Sequence, residues 1–376
     1  MPKLRLLFLA LCLCLAPCTP RADGLFIFDS GKSDDEGHSR LQIIPVTNLD
    51  HKVSPVYAQA MGIYRKKDSQ RAEALREQAL NGDMDALLAL AALSRLAEEE
   101  KRPPLFGAPA AFWRDWVVRM LGEKDAWFRI GAALYECSPE EALFLPPLTK
   151  LTSAALHRAA DAGHPEAMLA LAFLDSVETF HMPDDPGFPI AAPLESDPDD
   201  QKEAVMRNYW LSAAAAHGSA RAICRLGYRY LADTSFRDEH KARELLVKSM
   251  RLGSFSAAQA LYVFHYPFSE IVFSGYATCR THVYYGMIRA KMLKSRVHDE
   301  ALADRVKLML EGNNDLFPKA CLTRKEYEDA TREAEQEFKR IKAGMLARKE
   351  AHDALYAKAK PMFAEMRNAF AEQAKR

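Results

Sequence analysis

One spacing constrains this chain more than any other: a glycine, an alanine four residues later, and an aliphatic residue four beyond that. It occurs as Gly82–Ala86–Leu90, Gly122–Ala126–Ile130, Gly163–Ala167–Leu171, Gly218–Ala222–Leu226 and Gly253–Ala257–Leu261. Successive glycines lie 40, 41, 55 and 35 residues apart. The longest interval holds "TFHMPDDPGFPIAAPLESDPDDQKE" (179–203), with five prolines and five aspartates. Such a segment reads as a loop inserted into one unit, because proline removes a helix donor and fixes φ. Without about twenty of its residues the period returns to that of the other units, the signature of a repeat array.

The spacing has a physical basis. A glycine just past a helix takes the left-handed conformation that other residues resist. Asp83, Ser219 and Ser254 follow three of these glycines, and all are good N-caps. In the third unit Pro165 follows His164 and suits a first helical turn. Each glycine therefore closes one helix, and the next residue opens another. Positions four and eight after it share one face of the new helix. Upstream, Ala79, Ala160 and Ala215 stand three residues before their glycines, and Leu75, Leu156 and Trp210 seven or eight before. They mark the packing face of the preceding helix. A lone helix pair cannot bury such stripes; stacked neighbours bury them jointly.

The stretch "WLSAAAAHGSARAICRLGYRYLADTSFRDEHKARELLVKSMRLGSFSA" (210–257) resembles the SEL-like repeat, a branch of the tetratricopeptide-repeat superfamily. The features that match are Ala222, Leu226–Gly227, the aromatic Tyr230, Asp238, and Lys241–Ala242 at the second helix. "HRAADAGHPEAMLALAFL" (157–174) matches the first half of the pattern. The likeness is good over 150–260, fair over 72–150 and absent elsewhere. Gly131 and Gly227 fill the second small position, whereas Ala91, Ala172 and Tyr262 replace it. Tyr262 is expected to open its helix contact. The Gly-x-Gly between the family's helices is missing. The resemblance implies a solenoid that binds proteins on its concave side, with no catalytic residue.

The flanks differ. Lys3 and Arg5 precede an apolar run from Leu6 to Ala16, too short to span a bilayer. This reads as an export signal (1–23), cleaved between Ala16 and Gly24. Pro17 argues against lipidation of Cys18. Residues 24–56 hold two apolar runs, "LFIF" and "LQIIPV", suited to a hairpin or to an extended path. Repeats occupy 57–270. The closing pair in 271–322 comprises "VYYGMIRAKML" (283–293) and "DEALADRVKLMLEG" (299–312). Residues 323–376 form a long charged helix with a stripe of Tyr327, Ala330, Ala334, Phe338, Ile341, Met345 and Leu355. That helix caps or projects from the array, or serves as a docking or oligomerising arm. Pro361 is expected to kink or end it.

An exported chain resides in the periplasm or outside the cell. Its four mature cysteines, Cys137, Cys224, Cys279 and Cys321, allow two disulfides in any of three pairings, or four buried thiols. Chemistry is poorly supported. "FIFDSGKS" lacks the first glycine of a phosphate loop. There is no HExxH, no zinc-type Cys/His spacing, no GxSxG and no SxxK. "DPDD" (197–200) with Asp184 and Asp185 lacks the spacing and glycine of a calcium loop. Formal net charge is zero, which offers no field for nucleic acid. The remaining surface is Arg221, Arg225, Tyr228 and Arg229 on one helix, with Tyr209 and Trp210 on the helix before. Arginine and aromatics anchor interfaces.

The expectation is an all-α, right-handed α-solenoid of about five SEL-like helix pairs, with a capping region and a long C-terminal helix. No cofactor, metal, catalytic residue or transmembrane span is expected. The expected role is an exported, non-enzymatic scaffold that binds a protein or peptide in its concave groove. A cell-envelope hydrolase is the alternative class, and a structural oligomer joined through the C-terminal helix a third.

Overall fold

The computed structural model describes residues 54–137, 146–174, 180, 186–190, 201–232, 238–265, 279–294, 322–373 and 375. All belong to one compact unit, residues 44–376. The signal segment, Gly31–Lys32–Ser33, the 299–312 helix, the aspartates of the insert, Cys321 and the Cys137 side chain lie outside the described residues.

Every regular element among the described residues is an α-helix. The first pair is α1 (Pro55–Lys66) and α2 (Ser69–Leu80). Then come α3 (Met84–Glu99) with α4 (Ala110–Leu121), and α5 (Glu123–Cys137) with α6 (Pro146–Asp161). Next are α7 (Pro165–Leu174) with α8 (Gln201–Ala216), and α9 (Ala220–Ala232) with α10 (Glu239–Arg251). The array closes with α11 (Phe255–Phe264) and α12 (Cys279–Lys294), followed by α13 (Arg324–Ala359) and α14 (Met362–Gln373). Helix α8 begins at Gln201, so the last three residues of the proline-rich stretch are already helical.

All five repeat glycines stand at bends between helices, with φ of 105°, 79°, 82°, 91° and 92° in chain order. Four bends share one hydrogen-bond pattern. At Gly163, for example, its N–H donates to Ala160 O (2.8 Å) and the His164 N–H to Ala159 O (2.9 Å). The residue three before the glycine, an alanine in three of the four and Met250 in the last, is thus both packing residue and acceptor. The next residue caps the following helix. Asp83 Oδ1 accepts from Ala86 N–H (3.0 Å), Ser219 Oγ from Ala222 N–H (3.2 Å) and Ser254 Oγ from Ala257 N–H (3.2 Å). In the third unit His164 Nδ1 does this for Ala167 N–H (3.3 Å).

Helices pack on their chain neighbours throughout, α1 on α2 through α11 on α12, with α3 also against α1, α5 and α6. Ala86, Leu90, Ala126, Ile130, Ala167, Leu171, Ala222, Leu226, Ala257 and Leu261 are all buried. Small residues set the approach distance. A Cβ on Gly227 would lie 2.9 Å from Leu246 Cγ on α10. The expected opening at Tyr262 does not occur, for a steric reason. Gly286 on the partner helix α12 supplies the missing space; a Cβ there would sit 3.1 Å from the Tyr262 ring. The ring stacks on His282 at 4.4 Å, and Arg289 lies over it at 5.0 Å.

The C-terminal helix neither projects nor merely caps. With 36 residues, α13 is about 54 Å long at the usual rise. A capping box of Thr323 and Glu326 starts it beside α12. It then packs across α10 and on to α4. Ala330, Ala334 and Ile341 of the sequence stripe are buried, and Phe338 and Met345 lie against the same core cluster. Buried Glu337 accepts from Arg251 Nε (2.7 Å), Arg348 donates to Leu252 O (2.7 Å), and Arg129 of α5 meets His352 Nε2 (2.5 Å). The helix ends at Ala359, ahead of Pro361, and α14 continues onto α2.

Candidate functional site

The arginines of α9 sit where three helices meet. Glu166, one residue into α7 behind Pro165, is buried. It accepts from Ser219 Oγ (2.8 Å) and Arg221 Nε (3.0 Å), with Arg221 Nη2 on the same carboxylate oxygen as Nε. Arg225, one turn further, stacks over Phe173 of α7 at 4.5 Å, and Arg207 of α8 approaches the same ring at 5.7 Å. Burial first, then the charges of Arg207, Arg221 and Arg229, lower the Arg225 pKa to about 10. It stays charged at neutral pH, but in a cluster of like charges.

The four residues singled out by sequence therefore divide. Arg221 is committed to a tie between units. The Tyr228 hydroxyl donates to Ser256 O (3.4 Å) and its ring meets Phe264 at 6.0 Å, which ties α9 to α11. Arg225 and Arg229 lie half-buried on the arginine-rich face. Tyr209 and Trp210 pack together at 5.0 Å, and Trp210 is buried. Sequence reading missed Glu166, Phe173 and Arg207. The signal for Glu166 was present: it is the third residue after Gly163, as Arg221 is the third after Gly218.

A similar clasp holds Trp127 of α5, with Arg158 at 4.4 Å and Arg95 at 5.9 Å. A cleft of about 860 Å³ opens between α10, α12 and α13. Arg243, Lys248, Arg251 and Arg280 supply its cations, and Tyr284 and Tyr285 its aromatic wall. Arg280 is paired with Glu333 at 2.5 Å. Burial pushes the Tyr284 phenol up to about 12, helped by Glu337, so it remains protonated.

No protein-family model matches the chain, and no curated protein matches it. The chain is similar, at 16% identity and a TM-score of 0.33, to the crystal structure of a protective antigen present in uropathogenic Escherichia coli strains displaying an SLR fold. The alignment covers 80% of this chain and 64% of that one, so this chain spans under two thirds of the length of the relative. Helix pairs joined at five repeat glycines and stacked in chain order decide the architecture. The chain is an all-α helical-repeat solenoid.

The solenoid uses its other reactive-looking side chains for packing. His164 stacks on Phe128 at 4.0 Å, and burial lowers its pKa to about 3. His265 Nδ1 meets Leu261 O (2.7 Å) and His282 Nδ1 meets Tyr262 O (3.1 Å); burial lowers both to about 4. Cys224 is a buried free thiol pushed up to about 12 by burial, which makes it inert and removes it from any disulfide. Cys279 is disulfide-bonded. Among the described residues no helix is long and apolar enough to cross a membrane.

Proposed function

We propose that the protein is an exported, non-enzymatic scaffold that captures an acidic segment of a protein partner on the arginine-bearing face of α7, α8 and α9. The carrying observation is that Arg225 and Arg207 both lie over Phe173, with Arg221 and Arg229 close enough that repulsion among the four adds to burial in lowering the Arg225 pKa. An anionic ligand relieves that repulsion, and arginine with an aromatic platform suits a carboxylate-bearing chain. Export is supported by the basic start and apolar run of residues 3–16, and by the Cys279 disulfide, which suits an oxidising space. The non-enzymatic reading is supported by His164, His265 and His282, each buried and hydrogen-bonded to backbone within the helix packing.

The test is a titration of a labelled Asp/Glu-rich dodecapeptide into the full mature chain. Binding is expected to weaken as salt rises. It is expected to fall at least tenfold in Arg225→Glu/Arg229→Glu. Equal binding by both chains, or binding indifferent to salt, sinks the proposal.

A further inference from the structure

The last helix is packed as a ligand is packed. Lys360 and Pro361 separate α14 from α13. Twelve residues make a marginal helix in isolation, so α14 owes its structure to the surface beneath it. Phe363 and Met366 are buried, and Phe370 follows four residues on, giving apolar anchors at i, i+3 and i+7. Phe370 lies 5.9 Å from Phe112 and 5.6 Å from Trp113 on α4, under the Arg76 guanidinium of α2 at 5.2 Å. Its ring rests on Gly107, where a Cβ would come within 3.2 Å of Cζ. At the exposed rim Arg119 pairs with Glu365 (2.9 Å), and Arg367 Nη2 donates to Leu80 O (3.0 Å) at the end of α2. An aromatic anchor in a pocket with a polar rim is the anatomy of helix-in-groove recognition.

We infer that the surface formed by α2, α4 and the Gly107 turn is a helix-binding groove, occupied in the resting chain by α14 and open to an amphipathic partner helix of the same chemistry. That partner carries apolar anchors at i and i+3, an aromatic at i+7, and a glutamate placed to face Arg119. The groove shares no residue with the α7–α9 face, and the α13 anchors Ile341 and Glu337 are held by the core cluster of α9–α12 and by Arg251 rather than by α14. Because α14 is tethered, it competes at high effective concentration. A partner helix must outcompete it, which makes the tail an autoinhibitory occupant.

The probe is a labelled peptide of residues 361–376, titrated into the full chain. Wild type is expected to bind it weakly, and Phe370→Ala, whose resident helix is weakened, at least tenfold more tightly. Arg119→Glu, at an exposed position, is expected to prefer a Glu365→Arg peptide severalfold over the native one. Two results overturn the inference: a Phe370→Ala chain that binds no better than wild type, or an Arg119→Glu chain indifferent to the peptide's charge. A wild-type dimer that sediments as a monomer in Phe370→Ala also overturns it, and assigns the groove to α14 of a second copy.

Discussion

Glu166 and Arg221 occupy the same place in adjacent units, third after their glycines, and meet across the stack with Ser219 as a second donor to the carboxylate. Neighbouring helix pairs are thereby keyed to one another by charge as well as by shape. Asp125, at the equivalent place after Gly122, lies 3.7 Å from His164 of the following unit. Asp85, third after Gly82, accepts from the Tyr57 hydroxyl of α1 at 3.3 Å. One repeat position thus supplies a polar tie at successive junctions.

Arg221→Ala leaves Glu166 buried with Ser219 alone. Losing one partner of a buried pair costs about 3–5 kcal/mol, and the partial exposure of Arg221 reduces this to about 2. Urea unfolding is expected to show that loss. Glu166→Leu/Arg221→Met, which removes both charges, is expected to unfold within about 1 kcal/mol of wild type. If the single and double variants are equally destabilised, the pair is not the key to that junction.

Acid weakens the stack through its buried histidines. His164, held near 3, is a neutral cap whose Nδ1 lone pair accepts a backbone N–H. Its folded pKa lies below the unfolded value of about 6.5. The unfolded chain therefore binds the extra proton first, and stability present above about 6.5 is lost as pH falls towards 3. His265 and His282, each near 4, add to the slope in the same direction. Thermal melts at pH 7 and pH 5 are expected to show a lower midpoint in acid. His164→Asn retains a capping oxygen without a titrating ring, and is expected to flatten that dependence.

Gly227 tests how tightly a pair is closed. A methyl there meets Leu246, which is fully buried, at 2.9 Å, with Ala242 O at 3.3 Å behind it. Alanine gains roughly 1 kcal/mol in helix propensity, while overpacking costs about 1–3. The net expectation for Gly227→Ala is a loss of about 1 kcal/mol. Adding Leu246→Val is expected to restore part of it, which a double-mutant cycle measures. Additive single changes would show that the two helices do not limit one another there.

The bends and caps were legible because local chemistry dictates them. A positive φ needs glycine, and an orphan N–H needs Asp, Ser or an equivalent acceptor, so Gly82, Asp83, Gly218 and Ser219 announce themselves. The Tyr262 contact was misread because its relief lies 24 residues away at Gly286, and one helix does not reveal what faces it. The Glu166–Arg221 tie was legible only by aligning units position by position. The path of α13 was not legible at all. Its stripe of Ala330, Ala334 and Ile341 states that something covers it, and periodicity is silent on whether the cover is the same chain or another.

That path yields the last expectation. Arg348 donates to Leu252 O beside Gly253, and Arg367 to Leu80 O two residues before Gly82, so two arginines of the C-terminal helices seal carbonyls at the ends of α10 and α2. A cation at a helix C-terminus also opposes the helix dipole. Arg348→Met keeps the apolar stem and removes the donor. A charged hydrogen bond at this half-buried site contributes about 1–2 kcal/mol, so the variant is expected to unfold earlier by that amount. Hydrogen exchange locates the loss. Amides from 345 to 373 are expected to exchange faster, while those of α3 and α5 keep their protection, because the repeats bury their own stripes. Faster exchange throughout the array would mean that the stacked pairs depend on α13 for their own cohesion, and that the strap is part of the solenoid's core.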